Sequence, residues 1–262
     1  MVIRRFLASA SRRPRGADGW RGYVVGDVHG CFDLFDRLLA DIAADHRRRP
    51  PARGLLVLLG DLIDRGPASA QVMARVRELG RSSDLKLVTL SGNHEEVLHA
   101  ILEGNARQVS GWLKFGGIET LGSYGIDAAE IAKLPPAEAQ RRIAAAIPAE
   151  DRALLESMGD SFRFGDYLFV HAGIRPGIPL EQQALADLRW IREPFLSDRR
   201  DHGMTVVHGH TISKAVEEIG SRIGIDTGAY ATGRLTALGI EGRERWTLDT
   251  VEGLIVRERK DA

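Results

Sequence analysis

Six side chains able to bind a divalent ion recur beside glycine in five short motifs: Gly26-Asp27-Val28-His29-Gly30, Gly60-Asp61-Leu62-Ile63-Asp64-Arg65-Gly66, Gly92-Asn93-His94-Glu95, His171-Ala172-Gly173 and His208-Gly209-His210-Thr211. Carboxylate, amide and imidazole groups are what a hard or borderline cation takes. Asp27 and His29 are two residues apart, so on an extended strand end both point to one face. Asp61 can bridge two ions with its two oxygens. Asn93 offers an amide oxygen, and His171 and His210 offer nitrogens. This suggests Asp27, His29 and Asp61 on one ion, with Asp61, Asn93, His171 and His210 on a second. Two ions about 4 Å apart can hold and deprotonate a bridging water at neutral pH, which is chemistry suited to phosphate esters.

Each motif alone has a plainer explanation. Gly-Asp-x-His-Gly is often only a turn, and an Asn can simply cap a helix. Turns explain the glycines but not six ligand types gathered at strand ends.

The positioning elements follow from apolar periodicity. Gly22 to Val25 reads as a short buried strand, and the continuous run Leu55 to Leu59 as a second. Leu85 to Leu90 is a third. The first is followed by a helical period through Phe32, Phe35, Leu38, Leu39 and Ile42. The second leads past Pro67 into a helix through Val72, Val76 and Leu79. The third leads into a helix from Val97 to Leu102. Three strand–motif–helix units predict an α/β fold with ligands at strand C-termini, where open α/β sheets place their sites. Residues 104–159 change character and predict a helical cap. Phe162 to Val170, Met204 to Val207, Ile223 to Gly228, Leu235 to Ile240 and Trp246 to Val251 predict the remaining strands.

The bulk properties narrow the class. A chain of 262 residues suits one domain, or one with a small cap. Formal net charge is zero, so no broad attraction to nucleic acid or membrane is expected. The single cysteine, Cys31, excludes an internal disulfide framework and fits a reducing, cytoplasmic compartment. It has no evident base partner, which argues against a thiol nucleophile. Residues 1–19 read as a disordered basic tail. The arginine pair there lacks the apolar stretch of an export signal, and a transit-like composition is the weaker alternative. Residues 20–262 read as the catalytic domain.

The motif set, together with Trp112 to Gly117, Ser123-Tyr124-Gly125, Trp190-Ile191-Arg192 and Asp226-Thr227-Gly228-Ala229, resembles the metallophosphoesterase superfamily. Within it the chain looks specifically like the bacterial and phage serine/threonine protein phosphatases of the PPP type, over roughly Tyr23 to Leu238. The resemblance implies a central β-sandwich of mixed sheets flanked by helices, the calcineurin-like fold, with a small helical cap. It implies His94 as general acid, Asp64 as the carboxylate that orients it, and Arg65 and Arg192 as a phosphate clamp. It also implies two divalent ions. Mn²⁺ is the expectation, while Fe or Zn²⁺ suits the same ligands.

The function expected is hydrolysis of phosphoserine and phosphothreonine in proteins by in-line attack of a metal-bridging hydroxide. The expected partner is a phosphoprotein or phosphopeptide, with no nucleic acid or membrane, and a monomer by default. The nearest alternative is a symmetrical bis(5'-nucleosyl)-tetraphosphatase, whose second motif typically carries Ala where this chain has Asp64. Superfamily nucleases end in Gly-His-x-His, whereas here Thr211-Ile212 follows His210. A catalytically idle binding module is disfavoured because no proposed ligand is substituted.

Overall fold

The computed structural model describes residues 13–82, 84–251 and 253–255. Strand β1 (Trp20–Val25) is followed by α1 (Phe32–Arg48), β2 (Arg53–Leu58), α2 (Ser69–Ser82), β3 (Leu85–Thr89) and α3 (Asn93–Leu102). A helical segment comes next, with α4 (Val109–Trp112), α5 (Ile118–Ser123), α6 (Ala128–Ile131), α7 (Pro136–Ala146) and α8 (Ala149–Ser157). The second half holds β4 (Ser161–Phe164), β5 (Tyr167–Val170), α9 (Leu185–Trp190), β6 (Thr205–His208), β7 (Glu217–Ile219), β8 (Arg222–Gly224), α10 (Ala229–Thr232), β9 (Thr236–Glu241), β10 (Glu244–Asp249) and β11 (Gly253–Ile255).

The strands form two mixed sheets. The first runs β11-β10-β9-β1-β2-β3 and the second β4-β5-β6-β8-β7. Strands β1, β2 and β3 are mutually parallel, as are β5, β6 and β8. Alternation along β2 shows why the sheets stack. Leu56 and Leu58 enter the core shared with α1 to α3, while Leu55, Val57 and Leu59 enter the core between the sheets. A strand buried on both faces has no polar side to show, so its sequence is a continuous apolar run. Each such Leu contributes about 1.5–3 kcal/mol by leaving water. Likewise β5 sends Tyr167 and Phe169 between the sheets and Leu168 and Val170 outward under α9. The result is helix, sheet, sheet, helix, with the helical cap inserted between the two sheets' sequences.

Some boundaries differ from the sequence expectation. Phe162 to Val170 is split into a hairpin by Gly165, whose φ of +64° makes the turn. Ile225 to Gly228 leaves the sheet after Gly224, and β7 is a three-residue edge strand with no apolar period to announce it. Of the basic N-terminal segment, residues 1–12 lie outside the described residues. Residues 13–19 run along the sheet ends, where the Gly16 N–H donates to Gly242 O at 2.8 Å and the Arg15 N–H to Asp166 Oδ2 at 2.8 Å. Arg15 and Gly16 are thus tied to the domain by backbone hydrogen bonds. Among the described residues no helix is long and apolar enough to cross a membrane.

Candidate active site

Parallel strands deliver their C-terminal ends to the same edge, and each motif sits at such an end. The loops after β1 and β2 bind each other: the Val28 and His29 N–H groups donate to Asp61 O at 3.0 and 2.8 Å, and Gly30 N–H to Leu62 O at 2.8 Å. The loop after β6 joins that after β5 through Gly209 N–H and His171 O, 2.8 Å. Two glycines are obligatory for close approach. A Cβ at Gly92 would overlap the Asp61 carboxylate, and one at Gly209 would overlap that of Asp27.

Asp61 is the hub. Its Oδ2 lies 3.5 Å from His29 Nε2 and its Oδ1 3.5 Å from His171 Nε2. One carboxylate thus turns a different oxygen to each imidazole. His29 Nδ1–H donates to Ile63 O at 2.9 Å, and His171 Nδ1–H to Leu59 O at 3.0 Å. Each bond fixes the tautomer that leaves Nε2 free to ligate. His171 Nε2 also lies 3.0 Å from Asn93 Oδ1.

Two groups of donor atoms result, each within 4.8 Å across: His29, Asp61 and His94, and Asp61, His171 and His210. The Nε2 of His210 is buried without a hydrogen-bond partner. A buried ring nitrogen in that state is expensive unless something unseen ligates it. The donor set and this orphaned nitrogen fit a pair of divalent ions sharing Asp61. Asp27 stands outside both three-residue groups and accepts the His210 N–H at 3.0 and 3.2 Å.

Burial shapes the charges. It lowers His29 and His210 to about 3, so both imidazoles are neutral and able to ligate. Burial, reinforced by Asp226 and Asp61, pushes Asp27 well above the usual carboxylate range. Burial would raise Asp61 too, but His171, His94 and His29 outweigh it and hold Asp61 low. Such crowding of acids and neutral histidines is what a bound cation relieves.

His94, a member of the first group, makes further bonds of its own. Its Nδ1 is 2.7 Å from Asp64 Oδ2, and its Nε2 is 3.2 Å from Arg65 Nη2. Burial lowers its proton affinity, but Asp61 and Asp64 more than restore it, and the net shift is upward. Arg65 is half-buried with its guanidinium 4.8 Å over the Tyr230 ring. Arg192 is exposed, its Nη2 reaching His210 O at 3.4 Å, and it pairs with no carboxylate among the described residues. Cys31 is kept from thiolate chemistry because burial pushes it up to about 11. His208 packs its ring on Phe195 at 5.1 Å and faces Arg222, away from the ligand groups.

The sequence reading gave no role to several residues that build the site. Glu95 is buried and accepts the N–H groups of Asp61 (2.7 Å), Leu62 (2.7 Å) and Gly92 (2.9 Å), tying two loops to one carboxylate. Its place three residues after Gly92 is the local signal of a side chain reaching back over a helix start. Asp226 is buried beside Asp27, and burial raises it to about 6. Tyr230 sets its ring edge-on to His29 at 5.3 Å. Trp112 and Thr120 donate to Asp64 from the cap.

Comparison with known proteins agrees with this geometry. The calcineurin-like phosphoesterase profile matches residues 21–235. The chain is 30% identical over 235 residues to the asymmetrical bis(5'-nucleosyl)-tetraphosphatase PrpE of Halalkalibacterium halodurans, covering 82% of this chain and 88% of that one. It is 44% identical over 85 residues to the symmetrical bis(5'-nucleosyl)-tetraphosphatase of Klebsiella pneumoniae, but that match spans only 27% of the relative. A crystal structure provisionally named a diadenosine tetraphosphatase superposes with a TM-score of 0.64 at 20% identity, over 92% of this chain and 100% of that one, a likeness of fold. The chain belongs to the calcineurin-like phosphoesterase family.

Proposed function

We propose that the chain is a metal-dependent phosphomonoesterase acting on phosphoserine and phosphothreonine in proteins. The observation that carries this reading is the buried His94–Asp64 pair. A serine or threonine alkoxide is a poor leaving group and needs a proton as it departs. A nucleotide leaves as a stabilised phosphate anion and needs none. A pair built to deliver a proton therefore suits the alkyl ester.

Two divalent ions, with Mn²⁺ the first choice, would be held by Asp27, His29, Asp61, Asn93, His171 and His210, and would supply Lewis acidity and an activated water. The protein's own groups do the rest. Arg65 and Arg192 bind phosphoryl oxygens, a two-point task suited to guanidinium. Without substrate, Arg65 Nη2 points its hydrogen at His94 Nε2. A phosphoryl dianion draws Arg65 to itself and frees Nε2 to take a proton from solvent, which it then gives to the departing oxygen, while Asp64 holds Nδ1–H.

A second reading is dinucleoside tetraphosphate hydrolysis, favoured by the 30% identity to the PrpE relative across most of both chains. The test is a side-by-side rate comparison of Mn²⁺-loaded protein on a phosphoserine/phosphothreonine peptide and on diadenosine tetraphosphate. Faster peptide turnover is expected. Faster turnover of the dinucleotide would replace the first reading with the second, and the nucleotides released would tell symmetrical from asymmetrical cleavage.

A further inference from the structure

We infer that Trp112 and Thr120, both on the cap, are positioning residues for the proton donor: they fix the Asp64 carboxylate and through it the His94 ring. The inference rests on the reading of His94 as general acid.

Asp64 is fully buried. Among the described residues no Lys or Arg forms an ion pair with it. Its carboxylate is satisfied by three side-chain donors: His94 Nδ1 at 2.7 Å from Oδ2, Trp112 Nε1 at 3.0 Å from Oδ2 and 3.2 Å from Oδ1, and Thr120 Oγ1 at 2.6 Å from Oδ1. A buried carboxylate is costly unless donors replace its lost water. Two of the three donors come from the cap, 48 and 56 residues further along the chain.

The geometry does more than neutralise. Thr120 anchors one oxygen and Trp112 straddles both, which fixes the carboxylate plane and aims Oδ2 at His94. The same cap segment grips the backbone. The Asp64 N–H donates to Thr120 Oγ1 at 2.9 Å and to Ser69 Oγ at 3.0 Å, and the Arg65 N–H donates to Gly116 O at 3.2 Å. Asp64 and Arg65 both hold left-handed backbone, φ +70° and +68°, a conformation that persists only where surroundings over-determine it. A buried Trp N–H needs an acceptor wherever it packs. Here that acceptor is the carboxylate that orients the acid.

The experiment compares Trp112→Phe, Thr120→Val and Thr120→Ser with His94→Asn as reference, all Mn²⁺-loaded. The substrates are a phosphothreonine peptide, with a poor leaving group, and 4-nitrophenyl phosphate, with a good one. Trp112→Phe and Thr120→Val should lower kcat on the peptide about tenfold, a part of the roughly 10²–10⁴-fold that acid catalysis supplies. The aryl ester should lose far less, with KM and metal content unchanged and Thr120→Ser restoring the rate. In zinc-loaded protein, proton NMR should show the far-downfield Nδ1–H resonance of His94 shifted or lost in Thr120→Val and retained in Thr120→Ser. Thr120→Val is the smaller change and keeps the test decisive if Trp112→Phe does not fold. Equal loss on both substrates with an unmoved resonance would make these residues packing alone and overturn the inference. If His94→Asn discriminates between the substrates and the cap variants do not, only the cap inference falls. If His94→Asn loses both equally, the acid reading falls and takes the inference with it.

Discussion

The strand-end turns and the cap are built on opposite terms. Five described non-glycine residues have positive φ: His29 (47°), Asp61 (48°), Asp64 (70°), Arg65 (68°) and His210 (63°). All five are candidate site residues, and all lie in the turns. In residues 104–159 positive φ occurs only at Gly104, Gly116 and Gly125. Left-handed backbone costs an L-residue roughly 1–2 kcal/mol. The turns therefore hold strain to place ligands, while the cap confines its left-handed backbone to glycines and holds the turns. Mutations should separate the two regions, the turns losing activity first and the cap, away from its contacts with Asp64 and Arg65, losing stability first.

The largest effect should come from Asp61→Asn. Its two oxygens face two different histidines, and an amide keeps one oxygen and no charge. Both ions should be lost or weakly held. Turnover should fall by at least about 10³-fold, since several kcal/mol of charge stabilisation go with the ions. Metal analysis after gel filtration, beside a rate measurement, checks this. Two tightly bound ions in the variant would mean that Asp61 is not the shared ligand.

Arg65→Gly sharpens the contrast. Glycine relieves about 1 kcal/mol of left-handed strain and returns about 0.5–1 kcal/mol through unfolded-state entropy. Stability should barely change. Activity should fall about 10²-fold, the scale of losing one preorganised donor to the transition state. A large drop in melting temperature with intact kcat/KM would place Arg65 among structural residues instead.

These cases show what a single sequence displays. The candidate ligands could be named because each sits within a few residues of its own glycine: Asp27 with His29, Asn93 beside His94. The strands β1, β2 and β3 were legible because burial on both faces writes an unbroken apolar run. The supporting residues were not. Trp112 and Thr120 act on Asp64 across 48 and 56 positions, and no local pattern records such a bond. Glu95 stood in a recognised motif, yet its task is to accept backbone N–H groups 32 to 34 positions back. Backbone donors have no sequence identity, so nothing in the chain marks their acceptor. Asp226 follows an apolar pair that reads as strand, and only the fold brings it to Asp27.

Acidification gives a smaller, graded separation. Burial lowers His29 and His210 to about 3 and His208 to about 4. The unfolded chain takes up protons at these residues near the ordinary value of about 6.5. The folded chain does not until far lower pH. Stability from this source is therefore present above about pH 6.5 and lost as pH falls toward 3. Bound ions steepen the loss, because they require the same neutral nitrogens. Residues 104–159 contain no histidine and take no part. In loaded protein the melting temperature should drop between about pH 7.5 and pH 5, and less in stripped protein, where the raised carboxyls of Asp27 and Asp226 take up protons and oppose the loss. A flat profile across that range would show that the folded chain takes up protons there as readily as the unfolded one.

The smallest effect belongs to the cap alone. Asp127 caps α6, its Oδ1 accepting the N–H groups of Ala129 at 2.8 Å and Glu130 at 3.4 Å. Asp127→Ala should cost about 1 kcal/mol and lower the melting temperature by about 2–4 °C. It should leave kcat and metal content where they were, because α6 makes none of the bonds to Asp64 or Arg65. The cap's bonds to them come from Trp112, Gly116 and Thr120, in α4, α5 and the kink between them. An unchanged kcat would show that the cap reaches the site through these three residues. A kcat that fell in step with stability would show the cap acting as one body, so that loosening any part of it slackens the turn holding Asp64.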